Sequence, residues 1–124
     1  MDLNSINIIT LAYIGDAYYE VCIREFLINR GIIKVEELQR EAIKYVSAKG
    51  QCRIVTYLID NNILNDLELE IFKRGRNYKR SSHPKNTDII TYKMSTGFEA
   101  VIGYLYLSNN INRIRELLKY IEVE

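Results

Sequence analysis

The chain has 124 residues, 48% hydrophobic and 27% charged, which is enough for one globular domain with a modest core and too little for two. A formal net charge of +1 gives no general sign of a nucleic-acid partner, and two cysteines with one histidine, without close spacing, argue against a zinc site and favour reduced thiols. No signal-peptide pattern or bilayer-spanning apolar stretch is present, so we expect one cytoplasmic domain over residues 1–124 with no membrane contact.

The N-terminal third predicts a long helix. Residues 3–30 read as one helix, or as a short helix followed by a long one, with Asn4 or Ser5 as the N-cap and Gly31 after the end. Apolar residues lie nearly all round this helix, so we expect burial on every side. In so small a protein it is then either the central helix or one that packs against a second subunit.

Three shorter helices are predicted next, over residues 36–46, 47–61 and 65–72. The third opens on Asn65, followed three residues later by Glu68, which is a capping pattern. The alternation of apolar and acidic residues after Asn65 would also suit a strand. The capping pattern and the helical surroundings favour the helix.

The C-terminal part predicts a loop and two helices. Residues 75–87 lack apolar periodicity and indicate an exposed, mobile loop. A long helix then begins at Thr87 or Asp88 and runs to an Asn-Asn pair, and an amphipathic helix covers residues 111–121 with Arg113 on its outer face. The whole pattern predicts an all-α bundle of about six to seven helices.

Two acidic residues, Asp16 and Glu99, lie within otherwise apolar helical segments. Carboxylates are rarely buried without a partner, so each needs neutralising. One interpretation pairs each acid with a basic neighbour or a helix N-terminus. The other packs the two helices so that the acids face each other across a cation, and Gly15 and Gly97, which allow close helix approach, favour this site for a hard divalent metal.

Positive charge is concentrated between residues 73 and 85, where six cations occur without an acid and leave a net charge of −5 on the rest of the chain. In an arbitrary protein such a segment is a solvated loop, but the interleaved Tyr78 and His83 favour contacts with nucleic-acid phosphates. The six candidate RNA-binding residues are Lys73, Arg74, Arg76, Lys79, Arg80 and Lys85.

Five segments together resemble a known family: residues 11–20, 46–49, 73–77, 84–88 and 96–107 are similar to the catalytic domain of ribonuclease III, and most closely to the Mini-III ribonucleases. The resemblance implies an all-helical ribonuclease III endonuclease domain that forms a homodimer. It also implies Mg²⁺-dependent cleavage of double-stranded RNA to 5′-phosphate and 3′-hydroxyl ends, in maturation of the large-subunit (23S) ribosomal RNA precursor. Since no double-stranded-RNA-binding domain follows, an assisting ribosomal protein is a further expected partner.

Carried onto this chain, the resemblance makes Asp16 and Glu99 the catalytic and metal-binding pair, for Mg²⁺ with Mn²⁺ as a substitute. The larger family members have a further carboxylate one helical turn before each acid, where this chain has Ala12 and Thr96. With two direct ligands and waters in the other positions, we expect weak binding and a millimolar Mg²⁺ requirement.

Three further residues have open roles. Glu20 could reach the metal through water, but its spacing from Arg24 favours a surface ion pair. Lys49 and Gln51 match family positions, and the sequence assigns no chemistry to either.

Two alternatives to the nuclease stay open. A catalytically silent RNA-binding module would bind duplex RNA without cleaving it, although the presence of both acids argues against this. A helical regulator that uses the basic segment on DNA would show no preference for RNA and no need for Asp16.

Overall fold

A computed structural model describes residues 2–79, 85 and 88–122, and all the regular secondary structure in this part of the chain is helical. A short 3-10 helix at Leu3–Ser5 precedes six α-helices. Their bounds are α1 Ile8–Asn29, α2 Val35–Val46, α3 Ala48–Asp60, α4 Asp66–Arg76, α5 Ile89–Leu107 and α6 Ile111–Leu118. The predicted all-α bundle is confirmed.

Helix α5 is the centre of the bundle. It packs against α1, α3, α4 and α6, while α2 lies against α1 and α3. Residues 95–98 and 100–103 are all buried, so α5 is covered on every side. The helix at the centre of the bundle is thus α5, whereas all-round burial was predicted for α1.

Within the single chain, α1 is not buried on every side, because one stripe of the helix is exposed. Tyr13, Val21 and Ile28 are 81%, 59% and 51% exposed, and Ala17 lies between the first two on the same face. The stripe follows helical spacing, opposite the buried residues that meet α5. Of the two readings of α1, the central helix is excluded.

Helix ends largely follow local capping chemistry. The choice of Asn4 or Ser5 as the N-cap of α1 is wrong: Asn7 holds that position, and its side chain accepts a hydrogen bond from the Ile9 amide. The Asn65–Glu68 capping box at the start of α4 is confirmed in both directions, with N–O distances of 2.8 and 3.0 Å. The helix interpretation of the alternating stretch is thus correct.

Helix α4 continues through Arg76, four residues beyond its predicted end, so the exposed loop does not begin at Gly75. Gly75 is buried against α5, where a Cβ would lie 2.9 Å from the Gly97 Cα. This close approach and the basic last turn, which suits a helix C-terminus, stabilise the extra turn. The remainder of the predicted loop falls mostly at residues 80–84 and 86–87, outside the described residues.

Arg113 points inward, against its predicted outer position. Its guanidinium binds the carboxylate of Glu68 through Nε and Nη2, both at 2.7 Å, and Nη2 also donates to the Ile63 carbonyl at 2.7 Å. The Glu68 side chain is only 2% exposed, so this fork ties α6 to the start of α4. Hydrogen bonding to Glu68 raises the pKa of Arg113 further.

No helix in the described ranges is both long enough and apolar enough to cross a membrane. Cys22 and Cys52 are both free thiols, and both are partly buried.

Candidate active site

The site lies where α1 and α5 cross with their backbones in contact. A Cβ at Gly15 would be 1.8 Å from the Glu99 carbonyl oxygen, and a Cβ at Gly103 would be 1.8 Å from the Leu11 carbonyl oxygen. Each glycine thus meets a carbonyl of the opposite helix, and only a hydrogen atom fits in the place of its side chain. Asp16 follows Gly15 directly, so the residue that precedes Asp16 meets the backbone of Glu99 at this crossing. That the two carboxylates act together stays a prediction.

The glycine that pairs with Gly15 is Gly103, whereas the sequence singled out Gly97. A Cβ at Gly97 would meet the ring of Phe72 at 2.6 Å, so Gly97 serves the contact with α4. Gly103 and Gly97 both lie on α5. Gly103 allows α1 to approach closely, and Gly97 allows α4 to approach closely.

The two acids differ in their surroundings. Asp16 is exposed and Glu99 is half-buried, so the premise that Asp16 is a buried carboxylate is wrong. Asp16 lies at the edge of the apolar face of α1, between buried Ala12 and Tyr19 on one side and exposed Tyr13 and Ala17 on the other. An exposed acid beside a half-buried one suits a ligand that arrives from solvent.

Gln51, in the first turn of α3, contacts Glu99. Its Nε2 donates to Glu99 Oε2 at 3.1 Å and to the Val46 carbonyl at 3.0 Å. The residue is 2% exposed, and its Oε1 is buried without a hydrogen-bond partner. An unsatisfied buried acceptor costs about 1–3 kcal/mol, so this atom calls for an explanation.

Tyr19 forms part of the wall behind the site. It is fully buried, its hydroxyl donates to the Tyr45 carbonyl at 2.9 Å, and its ring meets Phe98 edge to face. Burial raises the pKa of the Tyr19 phenol, so it stays protonated at physiological pH. Tyr19 is a neutral structural group behind the site.

The donor set at the crossing fits a hard divalent cation. It consists of the carboxylate oxygens of Asp16 and Glu99, and Glu99 also accepts a hydrogen bond from Gln51 Nε2. No group of three or more His, Cys, Asp or Glu residues able to hold a metal occurs among the described residues. Two protein carboxylates with water in the remaining positions is the coordination that Mg²⁺ commonly accepts.

Glu20 forms an ion pair with Arg24 four residues later, as the spacing favoured. Lys49 is exposed in the first turn of α3. Neither residue is drawn to the crossing by a contact in the described part of the chain.

The basic residues divide between α4 and the segment after it. Lys73, Arg74 and Arg76 lie in the last turn of α4, and the guanidinium of Arg76 lies 5.6 Å from the centre of the Phe72 ring. Lys79 and Lys85 are exposed, while Arg80 and His83 are outside the described residues. This last turn packs on the part of α5 just before Glu99, since Gly75 meets both Thr96 and Gly97.

Sequence reasoning missed the functional contact of Gln51, although its position was noted. The available signal was the amide side chain at position 51, which lies on a helix face whose other residues are apolar and buried. Its partner lies 48 residues away, beyond any local pattern.

Comparison with known proteins gives concordant matches. The model of the Ribonuclease III domain family matches residues 9–110. Mini-ribonuclease 3 of Streptococcus pneumoniae is 47% identical over 120 residues, covering 97% of this chain and 94% of that protein, and Mini-ribonuclease 3 of Brevibacillus brevis is 46% identical over 118 residues, covering 95% and 87%. An X-ray structure of a Fusobacterium nucleatum protein superposes with a TM-score of 0.83 at 30% identity, covering 95% of this chain and 93% of that one.

Proposed function

The chain belongs to the ribonuclease III family, within its Mini-ribonuclease 3 group, and on that premise we propose that Asp16 and Glu99 form its active site and bind Mg²⁺ for cleavage of double-stranded RNA. Endoribonuclease activity follows from the family itself. The observation that supports the site assignment is the backbone contact of Gly15, the neighbour of Asp16, with Glu99.

The protein's part in the reaction is to hold charge and geometry in place. When bound, a divalent ion supplies a hydroxide nucleophile at neutral pH and neutralises charge on the scissile phosphate. Asp16 and Glu99 would hold it from two helices whose separation is set by backbone contact, and Gln51 donates a hydrogen bond to Glu99. In-line displacement would leave 5′-phosphate and 3′-hydroxyl ends.

The exposed cations in and after the last turn of α4 support an RNA duplex as substrate. Side chains cannot read the deep major groove of A-form RNA, so these residues would contact phosphates and 2′-hydroxyls and recognise shape. Each lost phosphate contact lowers the slope of log K against log salt by roughly 0.7–0.9. Neutralising Lys73, Arg74 and Lys79 together should therefore flatten the slope by roughly two, whereas neutralising Arg40 on α2 should leave it unchanged; an unaltered slope in the triple variant would remove these residues from the interface.

The exposed apolar stripe on α1, defined by Tyr13, Ala17, Val21 and Ile28, supports a symmetric homodimer. A two-fold axis would cover the stripe with its own copy and place two sites on one duplex, one for each strand. We propose cytoplasmic maturation of the 23S ribosomal RNA precursor as the biological role, with an assisting ribosomal protein as a partner.

Incubation of the purified protein with a long RNA duplex, with Mg²⁺ or with chelator, tests the proposal. We expect Mg²⁺-dependent fragments that disappear in Asp16→Asn and in Glu99→Gln and persist in Glu20→Gln, the matched control for loss of a nearby acid. Duplex binding without cleavage by the unaltered protein would favour the silent RNA-binding module. Equal binding of DNA and RNA duplexes, with no effect of Asp16→Asn, would favour the DNA-directed regulator.

A further inference from the structure

We propose that Gln51 is a positioning residue: its amide holds the Glu99 carboxylate in the metal-binding orientation, and its Oε1 accepts a hydrogen bond from a water beside that carboxylate. The inference rests on the proposed function, because it assigns Glu99 to a metal. It extends that function to a residue on a third helix, α3.

The orientation of the amide follows from its two contacts. Nε2 faces two acceptors, Glu99 Oε2 and the Val46 carbonyl. Exchanging the amide nitrogen and oxygen would set Oε1 against both acceptors and leave neither with a donor, so only the present orientation is favourable. Both N–H groups of the Gln51 amide therefore donate hydrogen bonds, and Oε1 is the one atom of this amide without a partner.

The backbone that carries Gln51 is tightly fixed. Ser47 caps α3, its hydroxyl accepting from the Gly50 amide at 3.1 Å. A Cβ at Gly50 would lie 2.3 Å from the Lys44 carbonyl oxygen, so the first turn of α3 sits directly on the end of α2. A side chain rooted there and buried to 98% has little freedom, and it transfers that rigidity to Glu99.

A purely structural role explains less of this arrangement. Joining α3 to the end of α2 needs one N–H for the Val46 carbonyl, and an apolar side chain would fill the space without a stranded acceptor. The second N–H donates to the half-buried carboxylate of Glu99. Oε1 is bonded to the same Cδ atom as Nε2, so it lies close to that carboxylate. A water bound to a cation is a strong hydrogen-bond donor, which is the partner that Oε1 lacks.

The test compares Gln51→Met, which keeps the volume and removes both donors, with Tyr19→Phe. The control removes one buried hydrogen bond, to the Tyr45 carbonyl beside Val46, and leaves the Glu99 contact intact. Mn²⁺ binding without RNA is followed by electron paramagnetic resonance, alongside melting temperature and the metal dependence of cleavage. Since groups that orient metal ligands typically change metal affinity 10–100-fold, we expect Mn²⁺ affinity at least tenfold weaker in Gln51→Met and unchanged in Tyr19→Phe.

The same shift should appear in the Mg²⁺ concentration for half-maximal cleavage, with much of the rate recovered at high Mg²⁺. Gln51→Asn, which keeps the amide but is too short to reach both partners, should show the same direction of change if Gln51→Met does not fold. Unchanged Mn²⁺ affinity in the folded Gln51 variant would overturn the inference. Glu99→Gln separates the two proposals: if it also leaves Mn²⁺ binding unchanged, the metal site itself is misassigned.

Discussion

Gly15→Ala should inactivate the enzyme while leaving it folded. The added Cβ would lie 1.8 Å from the Glu99 carbonyl oxygen, and ordinary contact begins at 3.4 Å, so the two helices must separate by about 1.6 Å there. Asp16 adjoins the altered residue, and Glu99 carries the oxygen that is displaced. The perturbation therefore acts directly on the distance between the two carboxylates.

Two opposing terms determine the stability of this variant. Overpacking in a tight contact costs about 1–3 kcal/mol, whereas replacing glycine by alanine within a helix gains about 1 kcal/mol. The net loss is about 2 kcal/mol if the helices separate as rigid units, which is within the stability of a domain of this size. Catalysis tolerates less, since a displacement of 1 Å can cost about 100-fold in rate.

The assay is cleavage of an RNA duplex at saturating Mg²⁺, with circular dichroism to report folding. Gly31→Ala is the matched control: Gly31 has φ +95° and nothing within 4 Å of its added Cβ, so alanine adds backbone strain without moving a helix. We expect a loss of about 100-fold in Gly15→Ala and near-normal cleavage in Gly31→Ala. Full activity in a folded Gly15→Ala protein would refute the argument that the crossing fixes the site.

Three further predictions concern stability and assembly. Arg113→Met strands the buried Glu68 carboxylate and should cost about 3–5 kcal/mol in denaturant unfolding, part of which Glu68→Gln should restore; a loss below 1 kcal/mol would mean that the pair behaves as a surface one. Hydrogen bonds from Thr91 to Asp88 lower the pKa of the Asp88 carboxyl, so its contribution is present above the unfolded pKa of about 3.9 and is lost as pH falls through the lower folded value. Asp88→Asn should therefore weaken the fall in melting temperature on acidification, and an identical pH profile would contradict the capping role. Val21→Lys should convert a species of twice 14.6 kDa into a monomer by light scattering, and a monomeric unaltered protein would refute the dimer.

Local chemistry made much of the fold predictable. The cap and capping box of α4 lie within four residues of each other, and Asp88 and Ser47 cap their helices by the same short-range contacts. The end of α4 was not predicted, because a glycine such as Gly75 usually indicates the end of a helix. In the structure, Gly75 packs against Gly97 of α5, and α4 continues through it.

Long-range partners were predictable only where a pattern marked both ends. Asp16 and Glu99 stood out as acids in apolar segments, but the sequence could not show that Asp16 lies on the exposed edge of α1. Arg113 lies in a sequence pattern typical of an exposed helix face. Its buried partner Glu68 is 45 residues away, and the capping box of α4 already accounted for that acid in the sequence. Gln51 carries no charge, so nothing in the sequence required it to have a partner.

The burial of the middle of α5, residues 95–98 and 100–103, has a consequence for how the protein loses activity. Backbone amides at the centre of a packed bundle exchange with solvent only through global opening, while frayed ends and surface turns open at much lower free energy. Glu99 lies in that central segment, and Gly15 packs against its backbone. We therefore expect slow amide exchange around Glu99, and we expect heat to inactivate the proposed pair of Asp16 and Glu99 in the same transition that unfolds the bundle.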